Sequence, residues 1–114
     1  MKKAAIVVGK RNAGKSTTIR HFKAMVTMET SHKFTLNGKR GYILACSFEE
    51  VGRDIESTVK KYSGYDFLVF ACQGPMLSDV HNALKEASFS VRDVAIKTPS
   101  EASEKATDIL NFFI

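Results

Sequence analysis

The 114-residue chain has no tryptophan, two prolines and two cysteines. Two cysteines are too few for a disulfide framework. Cys46 and Cys72 each lie inside an apolar run and read as buried thiols of a reducing compartment. No apolar run approaches the ~20 residues that a bilayer requires, and the amino terminus lacks the pattern of a signal peptide. No membrane is therefore expected as a partner, and the cytoplasm is the expected location. His21, His32 and His81 have no metal-like spacing among themselves or with the cysteines, and no chemistry is assigned to them. Internal repeats, low-complexity segments and runs of basic residues are also missing. The net charge of +5 is moderate, and a site for an anionic ligand would account for some of it. With no recognisable module beside it, nucleic-acid binding is the weaker reading. A hydrophobic content of 44% places the chain among ordinary globular proteins, with one domain expected over residues 1–114.

The informative stretch is Ala4 to Met25, AAIVVGKRNAGKSTTIRHFKAM. An apolar run, Ala4-Ala5-Ile6-Val7-Val8, stops at Gly9. Lys10-Arg11-Asn12-Ala13 follows, and then Gly14-Lys15-Ser16-Thr17. This is G-x-x-x-x-G-K-[ST] placed after a buried strand and before a helix, the context its mechanism needs. A polyphosphate can be held by converging backbone N–H groups and the positive end of a helix. Gly9 and Gly14 permit backbone angles and approaches that a Cβ hinders. After Ser16, apolar residues recur at Ile19, Phe22, Met25 and Val26, a helical spacing that fades near Thr27.

The match resembles the P-loop NTPase superfamily. It is specific over about the first quarter of the chain and architectural over the rest. The resemblance implies that Gly9 to Thr17 bind the phosphates of a nucleotide. Lys15 would reach the β- and γ-phosphates, and the Ser16 hydroxyl would ligate Mg²⁺.

Beyond Thr27, Met28 to Ser31 reads as a connector. Lys33–Leu36 alternates, Asn37-Gly38 is a strong hairpin signal, and Arg40 to Cys46 is a second strand, apolar from Tyr42 onward. The first, polar arm reads as an edge strand. Ser47 and Glu50 form a capping box before a helix with Val51, Ile55, Val59 and Tyr62 on one face. Ser63-Gly64 breaks that helix. Tyr65 to Cys72 is a buried strand, Gln73-Gly74-Pro75 a loop, and Leu77, Val80, Leu84 and Ala87 mark a third helix. Phe89 to Ile96 is the last strand. Thr98-Pro99-Ser100-Glu101 opens a final helix whose apolar face is Ala102, Ala106, Ile109, Leu110 and Phe113. The expected fold is α/β: a three-layer α-β-α sandwich around a mainly parallel sheet of about five strands, with a short antiparallel hairpin arm, as in a minimal P-loop NTPase. In such sheets ligands sit at the carboxyl ends of the strands, so the residues just after Val8, Cys46, Cys72 and Ile96 matter most.

P-loop NTPases usually place a metal-linked acid at the end of a neighbouring buried strand. Here the strand ending in Cys72-Gln73 has none, and Asp66 lies at its wrong end. Glu49 and Glu50 follow the other central strand. Glu50 has a role as a cap, which leaves Glu49 as the first candidate for a metal-linked or water-orienting acid. A plain first-turn acid is the alternative reading of Glu49. Asp79 is a more distant candidate, and Gln73 could orient a water or sense the γ-phosphate. Arg11 and Arg53 could neutralise charge in phosphoryl transfer. Lys10 matches the second lysine of a group resembling the partition ATPases, although Arg11-Asn12 replace that group's glycines. Asn12 also looks like the loop of translation- and assembly-type GTPases, whose D-x-x-G and N-K-x-D are absent here, so ATP is expected rather than GTP.

Two functions remain open on the sequence. One is an Mg-dependent ATPase or phosphotransferase using Lys15 and Glu49. The other is a nucleotide-binding module that regulates a partner without turnover of its own. There is little material for the lid and acceptor pocket of a small-molecule kinase. The final apolar stripe, Ile109 to Ile114, either covers the sheet or contacts a second subunit or another protein.

Overall fold

The computed structural model describes residues 2–44 and 54–114. The candidate residues Cys46, Glu49, Glu50 and Arg53, and the expected capping box from Ser47 to Glu50, lie outside the described residues.

The described strands are β1 (Lys2–Val8), β2 (Thr27–Met28), β3 (Lys33–Leu36), β4 (Lys39–Leu44), β5 (Phe67–Cys72) and β6 (Phe89–Ala95). They form one six-stranded sheet in the order β2-β3-β4-β5-β1-β6. β4, β5, β1 and β6 run parallel, whereas β2–β3 and β3–β4 are antiparallel. The helices are α1 (Lys15–Lys23), α2 (Ile55–Lys61), α3 (Leu77–Glu86) and α4 (Ala102–Phe113), with 3₁₀ turns at Gly74–Met76 and Pro99–Glu101. None of these helices is long and apolar enough to cross a membrane.

Alternation along β1 sorts the core. Ala5 and Val7 join a cluster with Ile19 and Phe22 of α1 and Ala106, Ile109 and Phe113 of α4. Ala4 and Ile6 face the other way, toward Val59 of α2 and Val80 and Leu84 of α3. α1 and α4 therefore cover one face and α2 and α3 the other. Phe67 to Cys72 are all buried, as a central strand covered on both sides requires. Phe22 anchors the first cluster, its ring edge-on to Phe34 at 5.3 Å and to Phe113 at 5.8 Å. Truncating such a fully buried aromatic costs about 3–5 kcal/mol.

Several elements differ from the sequence reading. The segment read as a connector begins with a strand, because Thr27 and Met28 pair with Thr35 and Phe34. β2 thus lies outside β3, which is not the edge. α1 stops at Lys23, where the backbone turns at Ala24. Met25 and Val26 still pack on the first cluster from beyond the helix. The hairpin forms where expected, with Asn37 at φ 53° and Gly38 at φ 77°, the pair of positive angles that a type I′ connection uses. α2 is capped by Asp54, whose carboxylate accepts from the Ser57 amide at 3.0 Å. Asp66 ties strand starts together. Its carboxylate accepts from the Arg40 amide at 3.3 Å, and its carbonyl accepts from the Lys3 amide at 2.9 Å. The apolar stripe of α4 covers the sheet with Ala106, Ile109 and Phe113, while Ile114 stays exposed.

Candidate functional site

The loop from Gly9 to Gly14 leaves the carboxyl end of β1, the strand held between β5 and β6. Hydrogen bonding continues one step past the strands. The Gly9 amide donates to Cys72 at 3.3 Å, and the Ile96 amide donates to Val8 at 2.8 Å. The loop is therefore fixed from both sides at its root. It closes on itself where the Ala13 amide donates to the Lys10 carbonyl at 3.1 Å.

Two residues of the loop have left-handed backbone, Asn12 at φ 64° and Gly14 at φ 106°. Such angles, interleaved with ordinary ones, turn successive N–H groups toward a common centre and make an anion-binding concavity. Both glycines are needed for space as well. A Cβ on Gly9 would lie 2.7 Å from the Ile96 carbonyl oxygen, and one on Gly14 would lie 2.7 Å from Cα of Pro99. Gly14 is also the residue before α1. The Thr18 amide and hydroxyl both donate to its carbonyl at 2.9 Å, which fixes the first turn. That turn carries no acidic residue, whereas Arg20, His21 and Lys23 sit in the last. The positive end of the helix dipole thus faces the loop with no carboxylate in the helix's own first turn to offset it.

Lys15 is 9% exposed, and its ammonium donates to the carbonyls of Gly9 at 2.8 Å and Lys10 at 3.0 Å. The charge is held over the loop and partly buried. A cavity of about 460 Å³ opens beside it, lined by Arg11, Asn12, Gly14, Lys15, Ser16, Thr17 and Pro99. All of these but Pro99 were singled out from the sequence. Gly9, Lys10 and Ala13 form the opposite wall of the loop. The arrangement of amides, a helix amino terminus, a buried ammonium and a guanidinium suits a multiply charged anion.

Pro99 and Ile96 were missed as site residues. The sequence marked the carboxyl end of the last strand as relevant but gave Pro99 only a role in starting a helix. Glu101 keeps this segment in place: its carboxylate accepts from the amides of Lys97 at 2.9 Å and Thr98 at 3.1 Å. The Lys97 and Thr98 amides hold the Glu101 carboxyl below its usual range.

The acids are arranged differently. No carboxylate lines the loop cavity among the described residues. Asp79 does not reach it; it lines a separate depression with Asp54, Glu56 and Glu86. β5 ends at Ala71-Cys72, and the Cys72 thiol donates to the Gln73 carbonyl at 3.0 Å. His81, assigned no chemistry, meets Asp93 of the edge strand at 2.6 Å. No group of metal-ligating side chains is present among the described residues.

No protein-family model and no curated protein matches this chain. Among solved structures, it is similar to the solution NMR structure of a de novo designed protein of PFK fold, with a TM-score of 0.60 and 15% identity. The match covers 99% of this chain and 91% of that one. At that identity the likeness establishes the fold alone: α/β, with a mixed, mostly parallel sheet and an antiparallel hairpin.

Proposed function

We propose that the chain binds Mg-ATP through Gly9 to Thr17, as a minimal three-layer domain of P-loop type, and that it hydrolyses ATP or transfers its phosphoryl group. One observation carries the reading. A G-x-x-x-x-G-K-S sequence folds as a loop with positive φ at Asn12 and Gly14, at the carboxyl end of a central parallel strand, with Lys15 poised on the loop's own carbonyls. The residues present fit a polyphosphate. The cradle exists only because Gly9 and Gly14 lack a Cβ, and the ammonium can exchange carbonyl oxygens for phosphate oxygens. Lys15 and the loop amides would hold the phosphates, with Arg11 at the rim and the Ser16 hydroxyl on Mg²⁺. The metal would supply Lewis-acid stabilisation of charge on the phosphoryl oxygens. Glu49 remains the proposed acid that orients water or metal. ATP is preferred to GTP by the absence of D-x-x-G and N-K-x-D from the chain.

A second reading is a nucleotide-binding module that works through a protein partner or a second copy, with little turnover of its own. The end of β5 at Ala71-Cys72, with no carboxylate beside the loop among the described residues, favours it.

Titrating wild type and Lys15→Ala with ATP and GTP, with and without Mg²⁺, while phosphate release is followed, tests both. The expected result is ATP binding that falls tenfold or more in the variant, about 1.4 kcal/mol or greater. Turnover abolished by Glu49→Gln supports the enzyme. Binding without turnover supports the module, and no nucleotide binding by wild type overturns both.

A further inference from the structure

The loop has a second side. β1 passes into α1 on one face of the sheet, and its neighbour β5 passes into α3 on the other. Neighbouring parallel strands whose connections leave in opposite directions open a crevice at their carboxyl ends, the place where open α/β sheets bind ligands. A cavity of about 540 Å³ lies at these carboxyl ends, lined by Val8, Gly9, Lys10 and Ala13 from β1 and its loop, Ala95, Ile96 and Lys97 from the end of β6, and Gly74 after β5. It shares no lining residue with the cavity beside Lys15, so the loop backbone separates the two.

The lining states the chemistry. Val8, Ala13, Ala95 and Ile96 make it mostly apolar, and its two charged side chains, Lys10 and Lys97, have the same sign. No carboxylate lines it among the described residues. Asp93 and Glu101 are the acids nearest Lys97 along the chain; Asp93 meets His81, and one oxygen of Glu101 already accepts two backbone amides. Lys10 has no ion pair among the described residues. A volume within the range of small-molecule sites, apolar walls and a few placed charges are the marks of a cavity that orients an organic ligand by one end.

We infer that this cavity binds a small organic carboxylate, its apolar body against Val8, Ala13 and Ile96 and its anionic group at Lys10 and Lys97. Its meaning as a second-substrate site beside a nucleotide rests on the Mg-ATP reading; its occupancy does not.

The test uses three probes of one shape and three charges: 4-phenylbutyrate, 4-phenylbutan-1-ol and 4-phenylbutylamine. Binding to the full chain without nucleotide is followed through the methyl signals of Val8, Ala13, Ala95 and Ile96. The carboxylate is expected to shift them saturably and at least threefold more tightly than the alcohol, with the amine weaker still. Lys10→Ala combined with Lys97→Ala should erase the preference for carboxylate over alcohol. Ala95→Leu, which fills the cavity from an exposed position, should remove binding of both. Equal affinity for the three probes, no saturation by any, or shifts confined to the methyl group of Thr17 would overturn the inference. Lys15→Ala separates the two proposals: it should abolish ATP binding and leave 4-phenylbutyrate binding within twofold.

Discussion

Two depressions on this molecule have the same volume, about 460 Å³, and opposite charge. One contains Arg11, Lys15 and the first turn of α1. The other gathers Asp54, Glu56, Asp79 and Glu86 between α2 and α3. Size does not distinguish them, but cause does. Asp54 caps α2, Glu56 lies in its first turn, and Asp79 lies in the first turn of α3, all positions that the helix dipole favours. Those three acids are explained without a ligand, whereas Glu86, the last residue of α3, has no such role. In the loop, left-handed backbone at a non-glycine residue and an ammonium donating to main-chain carbonyls are not explained by the needs of a helix or sheet, and the two glycines, which do join β1 and α1, have no room for a methyl group. Local strain of this kind, about 1–3 kcal/mol per residue, persists where the surroundings impose it.

The largest effect should come from Gly14→Ala. The substitution places a side chain at φ 106° and within 2.7 Å of Pro99, so the loop or the segment after β6 must move. We expect nucleotide affinity to be lost and the urea midpoint to fall by an amount equivalent to about 1–3 kcal/mol, with the far-ultraviolet circular dichroism of a folded α/β protein retained. Affinity unchanged within twofold would mean that the loop geometry is incidental, and the contrast between the cavities would collapse.

A smaller effect is expected from Glu101→Gln, because Glu101 acts through Lys97 and Thr98 on Pro99. Its folded-state pKa is depressed by those amides. The stability it contributes is therefore present above the ordinary pKa of 4.5 and is lost as pH falls through the lower folded value. At pH 7 the variant should melt a few degrees below wild type and bind nucleotide a few-fold more weakly. The difference in Tm should shrink below pH 4.5 as the wild-type carboxylate protonates. A Tm difference that stays constant through that window would show that Glu101 does not pin the segment through its charge.

What the sequence made legible follows from where each signal resides. Phe67 to Cys72 reads as a buried strand because both faces are covered and nothing interrupts its apolar run. Asn37-Gly38 reads as a turn because its backbone angles are costly for most other residues. The loop from Gly9 to Ser16 is legible because its spacing is dictated by local backbone chemistry. β2 was not legible: Thr27 and Met28 have no period, and their pairing to Phe34 and Thr35 is set by tertiary packing. The apolar spacing through Met25 and Val26 reports burial correctly and helix length wrongly, since both side chains pack on the core after the helix has ended. The contacts of Ile96 and Pro99 with Gly9 and Gly14 join residues more than eighty positions apart, and no local pattern in one sequence encodes such a pair.

The smallest effect is expected at Asp79, in the acidic depression. Asp79→Asn removes a carboxylate from the acidic depression and keeps its shape. Asp79 follows the end of β5, the strand beside the loop, and so has the topology of a metal-linked acid. Yet it lines the wrong cavity, beside Met76 and Asn82 and apart from Ser16. Removing a favourable first-turn acid should lower Tm only slightly. It should leave nucleotide affinity and any phosphate release within twofold of wild type, with and without Mg²⁺. A loss of Mg-dependent turnover with binding retained would reverse that assignment. The acidic depression would then belong to the same working site as the loop, with charge on its two sides divided between phosphate and metal, and Glu49 would lose its place as the candidate acid.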